Sequence, residues 1–273
     1  MSSKLEDLSQ WLWELQTKLK RDFEIEEIYI GGASSVAILD HVWFRSPVIL
    51  RDLDIYVVCG QKVDKGYAEI MAMTVQSDSL GMLDPVGVTP HIRGNPEKPS
   101  PERENYLAGW GFNLFKGQSS MDVTLYHSES EMPLNGIFNF DMIKLRLRTD
   151  QSLADFARAE LSQFSYEELL VRKAVQDPHG GYLSWKKKEP KVVNWHEVDR
   201  DPIVQAVRVV RSLGKLGCGN VPSEIVRHVR PQIEKRTGYD KAKLEAALGR
   251  VEKDPRVRAE RRMLLEVGLG RLI

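Results

Sequence analysis

The chain has 273 residues, 42% of them hydrophobic and 29% charged, with 39 Lys and Arg against 39 Asp and Glu. This composition excludes a disordered or fibrous chain and provides enough apolar side chains for two modest domains with cores of their own. No run approaches the roughly 18 apolar residues that cross a bilayer, and the N-terminus MSSKLEDLSQWLW lacks the layout of a signal peptide. The expectation is a cytoplasmic protein with no membrane partner.

Charge is divided unevenly. Residues 1–150 contain 15 Lys and Arg against 22 Asp and Glu, and residues 151–273 contain 24 against 17. Acidic side chains in the first part suit metal binding, and a basic second part suits a polyanion such as an RNA or a triphosphate. Cys59 and Cys218 are the only cysteines. They are too few for a disulfide framework and stand away from any zinc-ligand spacing, so both read as packing residues.

Residues 4–21 place Leu5, Leu8, Trp11, Leu12, Leu15 and Leu19 at helical spacing, which predicts an amphipathic helix. The run IEEIYI ends directly in Gly31-Gly32, which reads as a strand entering a turn. Residues 33–44 then read as a helix, with Ser34 or Ser35 placed to cap its N-terminus. DLDIYVVC, residues 52–59, is rich in β-branched residues and predicts a strand. Residues 84–105, with five prolines and two glycines, predict a long surface loop. GWGFNLFKG and SSMDVTLYH predict a hairpin turning near Gly117. From about residue 150 the pattern becomes helical, interrupted at DPHGG, GCGN and Pro231. The expected fold class is α+β: a mixed sheet flanked by helices over residues 1–150, then an all-helical domain over 151–273.

Asp52 and Asp54 are two apart on a predicted strand, so both side chains leave one face and can hold a divalent cation together. Two-metal phosphoryl transfer needs a third carboxylate, and Asp122, read as opening the strand DVTLY, is the candidate. Gly31 and Gly32 would let backbone amides approach a phosphate at the N-terminus of the following helix. Ser34 and Ser35 could donate hydroxyls to the same oxygens. The other reading of the glycine pair is a plain strand-to-helix turn.

These residues resemble the head domain shared by class II CCA-adding enzymes and bacterial poly(A) polymerases, within the DNA polymerase beta superfamily. The resemblance rests on Gly-Gly, a helix and DxD. It continues through residues 106–126, through DPHGG at 177–181, and through DPIVQAVRVVRSLGKLG at 201–217, and VPSEIVRHVRPQIEKRTGYDKAKLEAALGRV at 221–251 is similar to the next helical pair of the family's neck. It implies a nucleotidyltransferase head, residues 1–150, followed by a neck, residues 151–273. It also implies two Mg²⁺ ions on Asp52, Asp54 and Asp122, an NTP substrate, and a tRNA-like RNA 3' end as acceptor. In the neck helix, Gln205, Arg208 and Arg211 recur every three residues, and Arg208 and Arg211 could reach the triphosphate or a base edge.

The family's Arg-Asp pair after the glycines is Ser35-Val36 here, and its Arg-Arg-Asp element appears only as NGIFNFD. Its base-reading Glu-Asp-x-x-Arg motif has no copy. Those departures keep two rivals in view: a compact transferase acting on a protein or small molecule, and a non-catalytic RNA-binding relative. His179, His196, Trp43, Trp110, Trp185, Trp195 and the run Lys186–Lys188 read as surface, capping or packing residues.

Overall fold

The structure is a computed structural model that describes residues 3–22, 24–46, 52–60, 63–64, 66–68, 70, 89–91, 107–114, 119–132, 136–200, 202–235 and 257–269. The fold is α+β. The described chain divides into two compact units, Met1–Leu134 with Asp141–Pro178, and Asn135–Phe140 with His179–Ile273.

The first unit is built on a seven-stranded mixed sheet. Its strands are β1 (Glu27–Gly31), β2 (Asp52–Val58), β3 (Thr89–His91), β4 (Ala108–Leu114), β5 (Ser119–Tyr126), β6 (Lys144–Leu147) and β7 (Val175–Gln176), in the order β3-β4-β5-β2-β1-β6-β7. Only β2 and β5 pair in parallel; the other neighbours are antiparallel.

Alternation along these strands explains why they form a sheet with one dry face. Ile28, Ile30, Leu53, Ile55, Val57, Met121, Val123, Leu125, Leu145 and Leu147 are all fully buried. Each contributes about 1.5–3 kcal/mol on burial. The alternate positions are Glu27, Tyr29 and Gly31 on β1, Asp54 and Tyr56 on β2, Asp122 and Thr124 on β5, and Lys144 and Arg146 on β6. They share the opposite, largely polar face.

Helix α1 (Ser3–Asp22) buries Trp11, Leu12, Leu15 and Leu19, as its spacing predicts. Helix α2 (Gly32–Phe44) packs against β1, β2 and β6 and buries Val36, Ile38 and Leu39. Two short helices, α3 (Leu153–Phe156) and α4 (Tyr166–Val171), complete the unit, with a π-helical turn at Ala157–Leu161 between them. Trp43 Nε1 donates to Leu161 O at 2.6 Å, and the Trp43 ring meets Tyr166 edge-on.

Several expectations move. The boundary expected near residue 150 falls inside the first unit, which runs on to Pro178 because β7 pairs with β6 at the sheet edge. Both strands are too short for periodicity to announce them. In the proline-rich segment Thr89–His91 form an edge strand against β4, and the rest of residues 84–105 lies outside the described residues. Asp122 stands in the middle of β5, since the strand starts three residues before it. The hairpin of β4 and β5 forms as read.

The second unit contains α5 (Gly181–Lys187), α6 (Trp195–Arg200), α7 (Pro202–Leu216), α8 (Ser223–Lys235) and α9 (Val257–Glu266). α7 is its centre, burying Val209, Val210 and Leu213 and contacting α6, α8 and α9. α8 runs through Pro231 rather than stopping there. A proline inside a helix costs about 3 kcal/mol, and the burial of Val229 and Ile233 one turn apart offsets it. Residues 136–140, within the NGIFNFD segment, are part of this unit's framework. Phe138 bridges to Val192, and buried Asn139 donates to His179 O and Ser184 Oγ while accepting from Lys191 N.

Candidate active site

The ladder of the sheet brings the candidate carboxylates together. Reading one rung across all seven strands gives His91, Gly111, Asp122, Asp54, Gly31, Lys144 and Gln176. Residues in register on neighbouring strands project from the same face, so Asp54 and Asp122 stand side by side, about 4.8 Å apart at the backbone. The parallel pairing of β2 with β5 is what aligns them. Asp122 is 5% exposed and Asp54 is partly buried. Asp52 opens β2 on the same face, in register with Ser120, and its side chain lies outside the described residues.

Gly31 and Gly32 form the turn from β1 into α2, and each has its own reason to be glycine. A Cβ on Gly31 would lie 2.5 Å from Cε2 of Tyr56, whose ring fills that space. Gly32 has φ +66°, a left-handed backbone that L side chains adopt with strain, and a Cβ there would stand 3.6 Å from Oδ2 of Asp54. The Asp54 carboxylate therefore sits at the N-terminal end of α2, where exposed amides and the helix dipole favour negative charge.

The phosphate-binding groups expected of this turn are partly engaged inside the protein. Gly32 N–H donates to Ile143 O at 3.0 Å, closing the turn onto the sheet rather than facing a ligand. Ser35 Oγ donates to Ile30 O at 2.7 Å, and Ser34 and Ser35 are both buried. Gly31, and not a serine, is the N-cap residue of α2, and it has no side chain to cap with.

Sequence reasoning missed Lys144. It lies in the carboxylate rung, 8% exposed, with Nζ 5.8 Å from the Tyr56 ring centroid. Burial holds its ammonium below the ordinary lysine value, and the charge of Glu129 partly opposes that. Two residues on, Arg146 is ion-paired with Glu27, which also accepts from the Tyr29 hydroxyl. The KLRL run carried a signal, a lysine facing the same side as DxD, but only once β6 is known to border β1.

In the second unit Arg208 and Arg211 are exposed on α7, whereas Gln205 is buried. The three-residue row therefore splits: two arginines face solvent and the glutamine packs inward. The DPHGG turn is structural in its details. Gly180 has φ +64°, and a Cβ on Gly181 would lie 2.3 Å from Asn139 O. Asp177 accepts from the Tyr166 hydroxyl in the first unit.

Among the described residues no group of three His, Cys, Asp or Glu is placed to hold a metal. The described part of the donor set nevertheless fits a hard divalent cation, because Asp54 and Asp122 present carboxylate oxygens from adjacent positions on one face. Cys59, by contrast, is buried with its thiol pushed up to about 12 by burial and by Glu26, which leaves it protonated and inert.

No protein-family profile matches the chain, and no curated protein matches it by sequence. Solved structures do match. A CCA-adding enzyme in complex with ATP superposes with a TM-score of 0.55 at 16% identity, covering 99% of this chain and 55% of that one. An apo CCA-adding enzyme gives 0.54 at 14%, covering 94% and 50%, and a tRNA-processing enzyme in apo form gives 0.53 at 15%, covering 99% and 60%. The chain thus spans about half the length of the structures it resembles. Among the described residues no helix is long and apolar enough to cross a membrane. At these identities the likeness is one of fold alone, over nearly the whole of this chain.

Proposed function

We propose that this protein is a nucleotidyltransferase that moves a nucleoside monophosphate from an NTP to an acceptor hydroxyl. The observation that carries the reading is the rung itself, with Asp54 and Asp122 side by side on one sheet face and Asp54 at the N-terminus of α2. A solvated strand face has no need for two adjacent carboxylates, one of them 5% exposed. Burying like charges together is costly unless a cation shares the site.

Asp52, Asp54 and Asp122 would hold Mg²⁺, for which the family's pattern implies two ions. Bound there, Mg²⁺ supplies charge neutralisation for the polyphosphate and lowers the pKa of the acceptor hydroxyl. The acceptor oxygen forms its bond to the α-phosphorus as the bond from that phosphorus to the β-phosphate oxygen breaks, and pyrophosphate leaves with the electron pair. The acceptor proton passes to an Asp122 carboxylate oxygen. The N-terminus of α2 favours the negative charge of the polyphosphate on the same side.

The acceptor class we favour is an RNA 3' end of tRNA type. Support comes from the basic second half, from Arg208 and Arg211 exposed on α7, and from neighbours named as CCA-adding and tRNA-processing enzymes. In this reading the first unit is the catalytic head and the second a neck that meets RNA. The test is to incubate the protein with Mg²⁺ and each α-labelled NTP, offering total RNA and total protein as acceptors. Label in RNA, declining steeply as salt is raised, is expected. Label in protein alone would replace the RNA acceptor while keeping the chemistry.

A further inference from the structure

The glycine turn offers a triphosphate little beyond the amides at the start of α2. Residues 31–36, GGASSV, contain no cation. The Gly32 amide is bound to Ile143 O, the Ser35 hydroxyl to Ile30 O, and the space over Gly31 is filled by Tyr56. A site that accepts a polyphosphate beside carboxylates needs positive charge from elsewhere in the same unit.

Lys144 is placed to provide it. In the rung it is separated from Asp54 by Gly31 alone, and what lies over Gly31 is the Tyr56 ring, a side chain that can move and whose centroid is 5.8 Å from Lys144 Nζ. Two strand spacings put their backbones about 10 Å apart, a distance that the flexible lysine stem and a phosphate chain share between them. Among the described residues its ammonium forms no hydrogen bond or ion pair, its contact being the Tyr56 ring. Arg146, the next residue on that face, is by contrast neutralised by Glu27. Among the described residues Glu129 acts on it through its charge and no anion touches it; keeping a lysine 8% exposed without an anion at contact distance costs stability, which is a reason to expect an anion when the site is filled.

We propose that Lys144 is a triphosphate-binding residue, holding the β- and γ-phosphate oxygens of the NTP that leave as pyrophosphate. The proposal rests on the nucleotidyl-transfer reading of Asp54 and Asp122. It makes Lys144 the determinant of triphosphate over monophosphate binding, without a role in choosing the base.

Calorimetric titration of the full chain with ATP and with AMP, in Mg²⁺, tests it. A charge-assisted contact is worth about 1.5–3 kcal/mol, or roughly 10- to 150-fold in affinity. Lys144→Met should weaken ATP by that factor and change AMP less than about twofold, and Lys144→Arg should recover most of the ATP affinity. A folded Lys144→Met variant that binds ATP within about twofold of the wild type overturns the proposal. Wild-type protein that binds no Mg-ATP removes the underlying reading instead. Should Lys144→Met fail to fold, the ¹³C signal of the Lys144 side chain in the wild type decides. A shift with ATP that is missing with AMP is expected, and no shift with ATP contradicts it.

Discussion

The chain contains two Gly-Gly turns that open helices, Gly31-Gly32 before α2 and Gly180-Gly181 before α5, and they use their glycines in the same two ways with opposite consequences. In each pair one residue takes a left-handed backbone, Gly32 at φ +66° and Gly180 at φ +64°. In each the other is pressed against a neighbour, Gly31 against the Tyr56 ring and Gly181 against the backbone of Asn139 and Phe140. A ring at the end of a side chain can move; a backbone fixed by Asn139's buried hydrogen bonds cannot. The first turn borders Asp54 and is adjustable, which suits a binding site. The second is rigid, which suits a structural joint. One sequence signature therefore covers a turn against a movable ring and a turn against a fixed backbone, and only the neighbours tell them apart.

That contrast can be broken by substitution. Gly181→Ala should be the most damaging, because its Cβ would overlap Asn139 O at 2.3 Å with no side chain to yield. A loss of about 3 kcal/mol in urea unfolding is expected, and a loss below about 1 kcal/mol would mean that the 139–140 backbone gives way after all. Gly31→Ala should cost about 1 kcal/mol, and Tyr56→Leu in the same chain should recover most of it. No side-chain truncation should rescue Gly181→Ala. If neither variant is rescued, the distinction between a movable and a fixed obstacle fails.

A smaller effect belongs to the second unit alone. Gln232 and then His228 donate hydrogen bonds to Asp199, holding its carboxyl below the ordinary 3.8. A lowered folded value means that the contribution is complete above about 3.8 and is lost as the pH falls through the lower folded value. The pair is about half exposed, so the contribution is under about 1 kcal/mol. Asp199→Asn should flatten the acid limb of melting temperature against pH between about 2 and 4, lowering the midpoint at pH 7 by at most about 3 °C and leaving it unchanged at the acid end. An unchanged acid limb would show that the contact adds nothing.

What could be read in the sequence follows what is local. The period-two spacing of Asp52 and Asp54 and the apolar strand after them put both on one face before any pairing is known. The hairpin of β4 and β5 is likewise local. Parallel pairing of β2 with β5 is not, since it joins residues about 70 positions apart; only it makes Asp122 the partner of Asp54. β6 and β7 have four and two residues, too few to display a period, so neither the continuation of the first unit to Pro178 nor the place of Lys144 in the rung is legible locally. Pro231 shows the reverse case, where buried neighbours outweigh a strong local breaker.

Whether Asp54 and Asp122 form one cation-dependent site is tested by removing each charge separately. Transfer of label from α-labelled ATP to RNA in Mg²⁺ should fall by at least about 100-fold in Asp54→Asn and in Asp122→Asn. Each variant should unfold, without metal, at or above the wild-type midpoint, because an adjacent like charge has been relieved. Full activity in either variant would contradict the account. So would lost activity accompanied by a large loss of stability in both, which would make the pair part of the scaffold rather than of a site.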